Sequence, residues 1–180
     1  MLYITIEADE IFDEAKNEFV SIEQTKLQLE HSLVSIAKWE AIWHKSFLEN
    51  VDKLTPEEYL SYIKCMTITQ NVDSEVYTHL SQKNLYDIQA YINDPMTATV
   101  INNRDNSRPQ KHQVITAELI YCWMLELNVP VEFQKWHLNR LMMLIQVCSI
   151  RQSPPKKKSK AQAAADMRAA KARARARRKH

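Results

Sequence analysis

Five of the six histidines, the three cysteines and several paired carboxylates are the residues here with chemistry to offer, and their spacing decides how much. His31, His44, His79, His112 and His137 are plentiful enough to raise metal binding. A zinc site, however, draws its ligands from short, repeated spacings. No His-x-x-x-His and no Cys-x-x-Cys occurs, so the histidines read as structural or surface groups. Nucleophilic catalysis needs a Cys or Ser within hydrogen-bond reach of a base. The nearest hint is Cys148 with His137, eleven residues apart on one expected helix, roughly 16 Å at 1.5 Å per residue. Glu57-Glu58 reads as a helix start and Asp13-Glu14 as a turn, so neither pair is placed for acid–base work. No catalytic, metal or cofactor residue is expected, and the chain reads as a non-enzyme that needs no cofactor.

Glycine is absent altogether. That excludes a P-loop, a G-x-G-x-x-G phosphate cradle and a G-x-S-x-G nucleophile elbow, each of which needs glycine's backbone freedom. Tight turns must use Asn or Asp instead. Cys65, Cys122 and Cys148 are odd in number, widely spaced and in apolar contexts. They read as small buried hydrophobes in a reducing compartment.

Charge is divided sharply along the chain. Residues 151–180 hold 12 Lys+Arg against the single acid Asp166, a net of +11, whereas residues 1–150 hold 12 against 21 acids, a net of −9. An acidic body with a basic tail points to an electrostatic interaction tail. Lys156, Lys157 and Lys158 open it, and Arg173, Arg175, Arg177 and Arg178 close it among alanines. Such a tail suits phosphates, bound in a salt-dependent and sequence-blind way, or an acidic protein surface. It lacks aromatic residues, so base stacking on single strands is not expected. Tryptophan supplies the other partner candidates. Trp39 and Trp43 lie four apart on one helix face and Trp136 lies near the C-terminal end of the body. Core packing is the first reading for them, as for Trp123, and an interface anchor is the second.

The elements that must carry these residues are mostly helical. Leu2, Ile4 and Ile6 alternate with Tyr3 and Thr5 as in a half-buried strand. Phe19–Ile22 and Leu27–Leu29 read as further strands, with the acidic stretch Glu7–Asn17 as turn. Ser32 caps a helix running to about Leu48, with Leu33, Ile36, Trp43 and Phe47 on one stripe. Thr55-Pro56-Glu57-Glu58 is a capping box with proline at the first helical position. A short helix over Ser74–Leu80 and one over Gln82–Asn93, capped by Ser81 and stopped at Asp94-Pro95, come next. Met96–Val100 reads as extended and Ile101–Gln113 as a polar loop. Val114–Leu127 and a long helix opened by Pro130 and running to about Ile150 complete the body, and Ser153-Pro154-Pro155 ends it. The fold expected is mainly α: residues 1–30 as a β-hairpin or small sheet, 31–150 as a helical body, and 151–180 as a mobile, low-complexity basic tail. No apolar run reaches the roughly 18 residues of a membrane helix. The start, Met1-Leu2-Tyr3-Ile4, shows no basic region of the kind that opens a secretory signal.

Several stretches resemble a family encoded in the tail-morphogenesis region of long-tailed bacteriophages. They are Leu27–Ile36 with Lys38-Trp39-Glu40, Tyr62–Thr67, Pro95–Thr99, Lys135–Leu141, and the Pro154-Pro155-Lys156-Lys157 segment before a basic tail. The resemblance spans about residues 20–180, and only the Ala/Arg-rich end, Ala161–Arg178, departs from it by being more repetitive. It implies a tail assembly chaperone in the host cell cytoplasm, one that holds the tape-measure protein soluble while tail-tube subunits polymerise around it. The tape-measure protein is then the expected partner, with the tail-tube protein and a second copy of the chain behind it. Chaperones of this kind are often made in short and frameshifted long forms, and an A-rich run encoding Lys156–Lys158 would suit such a slip. The competing expectation is a nucleic-acid-binding phage protein acting through its tail.

Overall fold

The computed structural model of the chain describes residues 1–13, 18–101, 113–152 and 167–168. It is mainly α-helical with an N-terminal antiparallel sheet, as the sequence leads one to expect. By its contacts the chain divides into two compact units, Met1–Cys148 and Ser149–His180. The first unit holds the sheet and the whole apolar core. The expected polar loop falls almost wholly outside the described residues, as do the Ser153–Pro155 break and nearly all of the basic tail.

Strand β1 (Leu2–Ile6) pairs antiparallel with β4 (Thr25–Leu29), and β2 (Asp9–Asp13) pairs with β3 (Glu18–Ile22). Leu2 faces Leu29 in the first ladder and Asp9 faces Ile22 in the second, so both keep one register. They form a single long hairpin interrupted at Glu7-Ala8 and Glu23-Gln24, where the Gln24 amide donates to Glu7 Oε2 at 2.9 Å. The turn expected over Glu7–Asn17 therefore needs correction, since Asp9–Asp13 is strand. Acidic residues have little strand preference of their own. Here pairing in the register already set by β1 and β4 overrides it. Alternation does the rest in the proximal half: Ile4, Ile6, Leu27 and Leu29 are buried, whereas Tyr3 is 70% exposed. The outer edge of β4 is tied to the end of the third helix through Glu30 N–H to Met66 O and Ile68 N–H to Gln28 O.

The helices are α1 (Leu33–Trp43), α2 (Phe47–Asn50), α3 (Pro56–Met66), α4 (Gln82–Asn93), α5 (Ala117–Glu126) and α6 (Leu138–Gln152), with 3₁₀ turns at Val51–Lys53, Ser74–His79 and Val131–Lys135. Caps legible in the sequence form as expected. The Thr55 and Glu58 box closes on α3, Ser32 caps α1, and Ser81 Oγ accepts from Asn84 N–H at the start of α4. Four helices differ from expectation. The one expected to reach Leu48 breaks at His44, which turns left-handed (φ 52°), and Ser46 caps a separate α2. Thr116 rather than Val114 opens α5, because its hydroxyl accepts from Leu119 N–H. The helix expected from Pro130 is a 3₁₀ turn, then Trp136-His137 in an isolated bridge to Ser32, and only then α6. Likewise Ser74–His79 winds as 3₁₀, and Met96 is left-handed, not extended. With no glycine to supply positive φ, the left-handed positions among the described residues fall to His44, Asn71, Met96 and Asn128, of which asparagine bears it most readily.

One core joins the sheet to every α-helix; the four-residue α2 adds Phe47, with Leu48 packed against it. Leu33, Ile36 and Trp39 of α1 meet Tyr62, Ile63 and Met66 of α3, with Ile88 of α4, Ile120 and Met124 of α5, and Leu141 and Ile145 of α6. Each such side chain contributes roughly 1.5–3 kcal/mol by leaving water. Cys65 and Cys148 are half-buried, but Cys122 is exposed and all three are free thiols, so the buried reading fails for Cys122. It sits on the outer face of α5, where its thiol points to Glu126 at 3.7 Å.

Candidate functional site

Two arrangements stand out once the chain is folded: an aromatic corner at the surface and a buried histidine pair beneath it. The corner begins where α5 ends. Leu127 and Asn128 N–H bond back to Trp123 O and Leu125 O, Asn128 turns left-handed, and Val129 N–H returns to Met124 O at 2.8 Å. That closes the helix and reverses the chain into the 3₁₀ turn, which Tyr121 pins by donating from its hydroxyl to Gln134 Oε1 at 2.8 Å. Phe133 and Trp136, three apart in this tight winding, then stack with ring centroids 4.0 Å apart and planes 16° from parallel. The Arg140 guanidinium lies 4.3 Å from the Trp136 ring, a cation–π cap worth about 0.5–1 kcal/mol at an exposed site. Phe133 and Trp136 are only half-buried, and Leu125 and Val131 at the flanks of the turn are exposed.

The other tryptophans are placed differently. Trp39 has no exposure at all; its indole N–H donates to Glu58 O at 2.9 Å and its ring meets Phe47 edge-on. No face of it is left for a partner. Trp43 is half-buried, stacks on Trp39 and donates to Ser61 Oγ at 3.0 Å. Lys45 approaches the Trp43 ring and pairs with Glu58 at 2.6 Å. That ammonium, followed by the Thr55 backbone N–H, holds the Glu58 carboxyl below the usual carboxylate range. So Trp39 and Trp43 come together as a support for α3, while Trp136 stands apart with Phe133. Lys156, Lys157, Lys158, Arg173, Arg175, Arg177 and Arg178 lie outside the described residues. In the apolar, Met- and aromatic-rich stretches Tyr121–Met124 and Leu141–Ile145, Met124, Leu141 and Ile145 are core, and Met142, Met143 and Leu144 are half-buried.

Sequence reasoning missed the histidine pair. His31 and His137 are both buried, their rings 5.1 Å apart and tilted edge to face. His31 Nδ1 hydrogen-bonds the Tyr62 hydroxyl. His137 Nε2 donates to Tyr91 O at 2.9 Å, which leaves the lone pair on Nδ1, a buried atom with no hydrogen-bond partner. Next to them the Tyr91 hydroxyl donates to Glu30 Oε1 at 2.6 Å, and the Met1 ammonium lies 3.1 Å from Glu30 Oε2. Burial, then the neighbouring His137, pushes the His31 imidazole down to about 3, and burial lowers His137 as well. Burial raises the hydroxyls of Tyr62 and Tyr91 above the ordinary tyrosine value. Among the described residues no cluster of three His, Cys, Asp or Glu is placed to hold a metal ion.

These shifts make stability depend on pH. The unfolded chain takes up a proton at His31 near 6.5 while the folded chain resists until about 3, so acid favours unfolding between those values. Stability from this source is fully present above pH 6.5 and falls as pH drops, by up to about 1.4 kcal/mol per unit. Urea unfolding at pH 7.5 and pH 5 should differ by about 2 kcal/mol. Equal midpoints at the two pH values would contradict the buried, neutral imidazole.

Comparison with known proteins brings no match: no family model, no curated protein and no solved structure is similar to the chain. Among the described residues no helix is long and apolar enough to cross a membrane.

Proposed function

We propose that this chain is a non-enzymatic tail assembly chaperone that binds a tape-measure protein in the host cytoplasm and keeps it soluble during tail morphogenesis. The observation that carries this reading is the aromatic corner. A chain with a well-filled core still leaves stacked Phe133 and Trp136 at its surface, with Arg140 over the ring and Leu125 and Val131 exposed beside them. Aromatic and Arg side chains are the anchors that interfaces favour, and a holdase must offer such surface to apolar segments of its client. The family-like stretches add support, since Lys135–Leu141 is one of them and runs through the corner. The tail-tube protein and a second copy are secondary partners on the same reading.

The basic tail favours a second reading, nucleic-acid binding through residues 151–180 with their net charge of +11. Truncation after residue 150 separates the two. The truncated protein should still solubilise a tape-measure client at least in part, because apolar recognition lies in the body. It should also lose salt-sensitive binding to duplex DNA and keep its thermal unfolding nearly unchanged. Loss of all client solubilisation with the tail would remove the corner from its role. Tight DNA binding by the truncated protein would overturn the division of labour.

A further inference from the structure

The buried histidine pair sits where three parts of the fold are fastened to one another. Leu138 N–H donates to His31 O at 2.8 Å, Ser32 bridges His137, and Asn139 Nδ2 donates to Ile92 O and Asp94 O at 3.0 and 2.8 Å. Together with His137 Nε2 on Tyr91 O, these bonds staple the segment Trp136–Asn139 to the start of α1 and to the end of α4. The staple works only with a neutral His137. A second proton would go to Nδ1, which is buried and faces no acceptor. A buried, unsatisfied donor carrying charge is among the costliest groups a fold can hold. The carboxylates of Glu30 and Asp94 favour a charged His137, but burial outweighs them and its imidazole stays lowered. From the β4–α1 junction comes Glu30, already accepting from Tyr91 and paired with the Met1 ammonium. From α3 come the Tyr62 hydroxyl and Cys65, from α4 Tyr91 and Asp94, and α2 contributes Phe47, which cannot ionise. Protonating both rings would also set two cations 5.1 Å apart.

We propose that His31 and His137 form an acid-opened latch: protonation releases the segment Trp136–Asn139 from the β4–α1 junction and the end of α4 while the rest of the core stays folded. Trp136 precedes His137 directly, so opening the latch also moves the Phe133–Trp136–Arg140 stack, and falling pH raises the share of molecules in which the aromatic corner is opened. The latch itself does not depend on what the corner binds.

Amide hydrogen exchange on the full chain tests it. The Leu138 amide, held by His31 O, reports the latch, and the Ile63 amide in α3 reports the core. After correction for the intrinsic pH dependence of exchange, Leu138 protection should fall about tenfold from pH 7.5 to pH 5.5 through His31 and further through His137, with Ile63 protected throughout. His137→Gln keeps a donor for Tyr91 O but cannot take a proton, and should shrink that fall to the share of His31 alone. Leu138 protection that is flat with pH, or that falls in step with Ile63, overturns the proposal. So does a fall unchanged in the His137→Gln protein. Should that variant not fold, the wild-type comparison of Leu138 with Ile63 decides alone.

Discussion

Replacing Glu40 by alanine is expected to destabilise the fold by roughly 2–5 kcal/mol, a large part of what a domain this size holds in reserve. Glu40 lies on α1, almost fully buried, and its two carboxylate oxygens divide between two other helices. Oε1 accepts from Phe47 N–H at 2.8 Å, at the first turn of α2, and Oε2 from Ala117 N–H at 2.7 Å, at the first turn of α5. Helix starts present unpaired N–H groups and the positive end of the dipole, so one carboxylate serves both. Alanine would leave two buried donors unpaired, each costing about 1–3 kcal/mol. Glu40→Gln should fall between, because an amide has one acceptor oxygen and turns an NH₂ towards the second donor. Denaturant unfolding measures both. An alanine variant within 1 kcal/mol of wild type would refute the shared cap.

The second large effect is Trp39→Ala, expected to cost about 3–5 kcal/mol. The substitution empties a fully buried site between Phe47 and Trp43 and removes the indole N–H that donates to the Glu58 carbonyl. Trp136→Ala gives the contrast. It removes a half-buried ring with one stacking partner and one cation, and should cost only about 1 kcal/mol. Equal losses at the two positions would mean that the corner is as much core as Trp39 is.

Local grammar carries much of this fold. Thr55 with Glu58, Ser81 before α4 and Ser32 before α1 are caps whose partners lie within three residues, so spacing alone reveals them. The elements that depart from expectation are decided at long range. Strand β2 is legible only through its register with β3 and the ladder beyond it. The break after α1 depends on Ser46, whose hydroxyl donates to Ile115 O across the fold at 2.6 Å, and on Glu40. The start of α6 is set by His31 O taking Leu138 N–H, not by Pro130. The histidine pair is invisible in the sequence for the same reason, because nothing near either residue encodes the other. The corner is legible in part. Trp136 is a partner candidate by its type alone, but its stacking on Phe133 needs a 3₁₀ winding where the pattern reads as α-helix.

The soluble fraction of a tape-measure protein, expressed with and without the full-length chain, tests the proposed function most directly. Co-expression should raise that fraction clearly, and Trp136→Ala should lose most of the rise while the chain itself stays folded. A soluble fraction that is the same with and without the wild-type chain would contradict the chaperone reading.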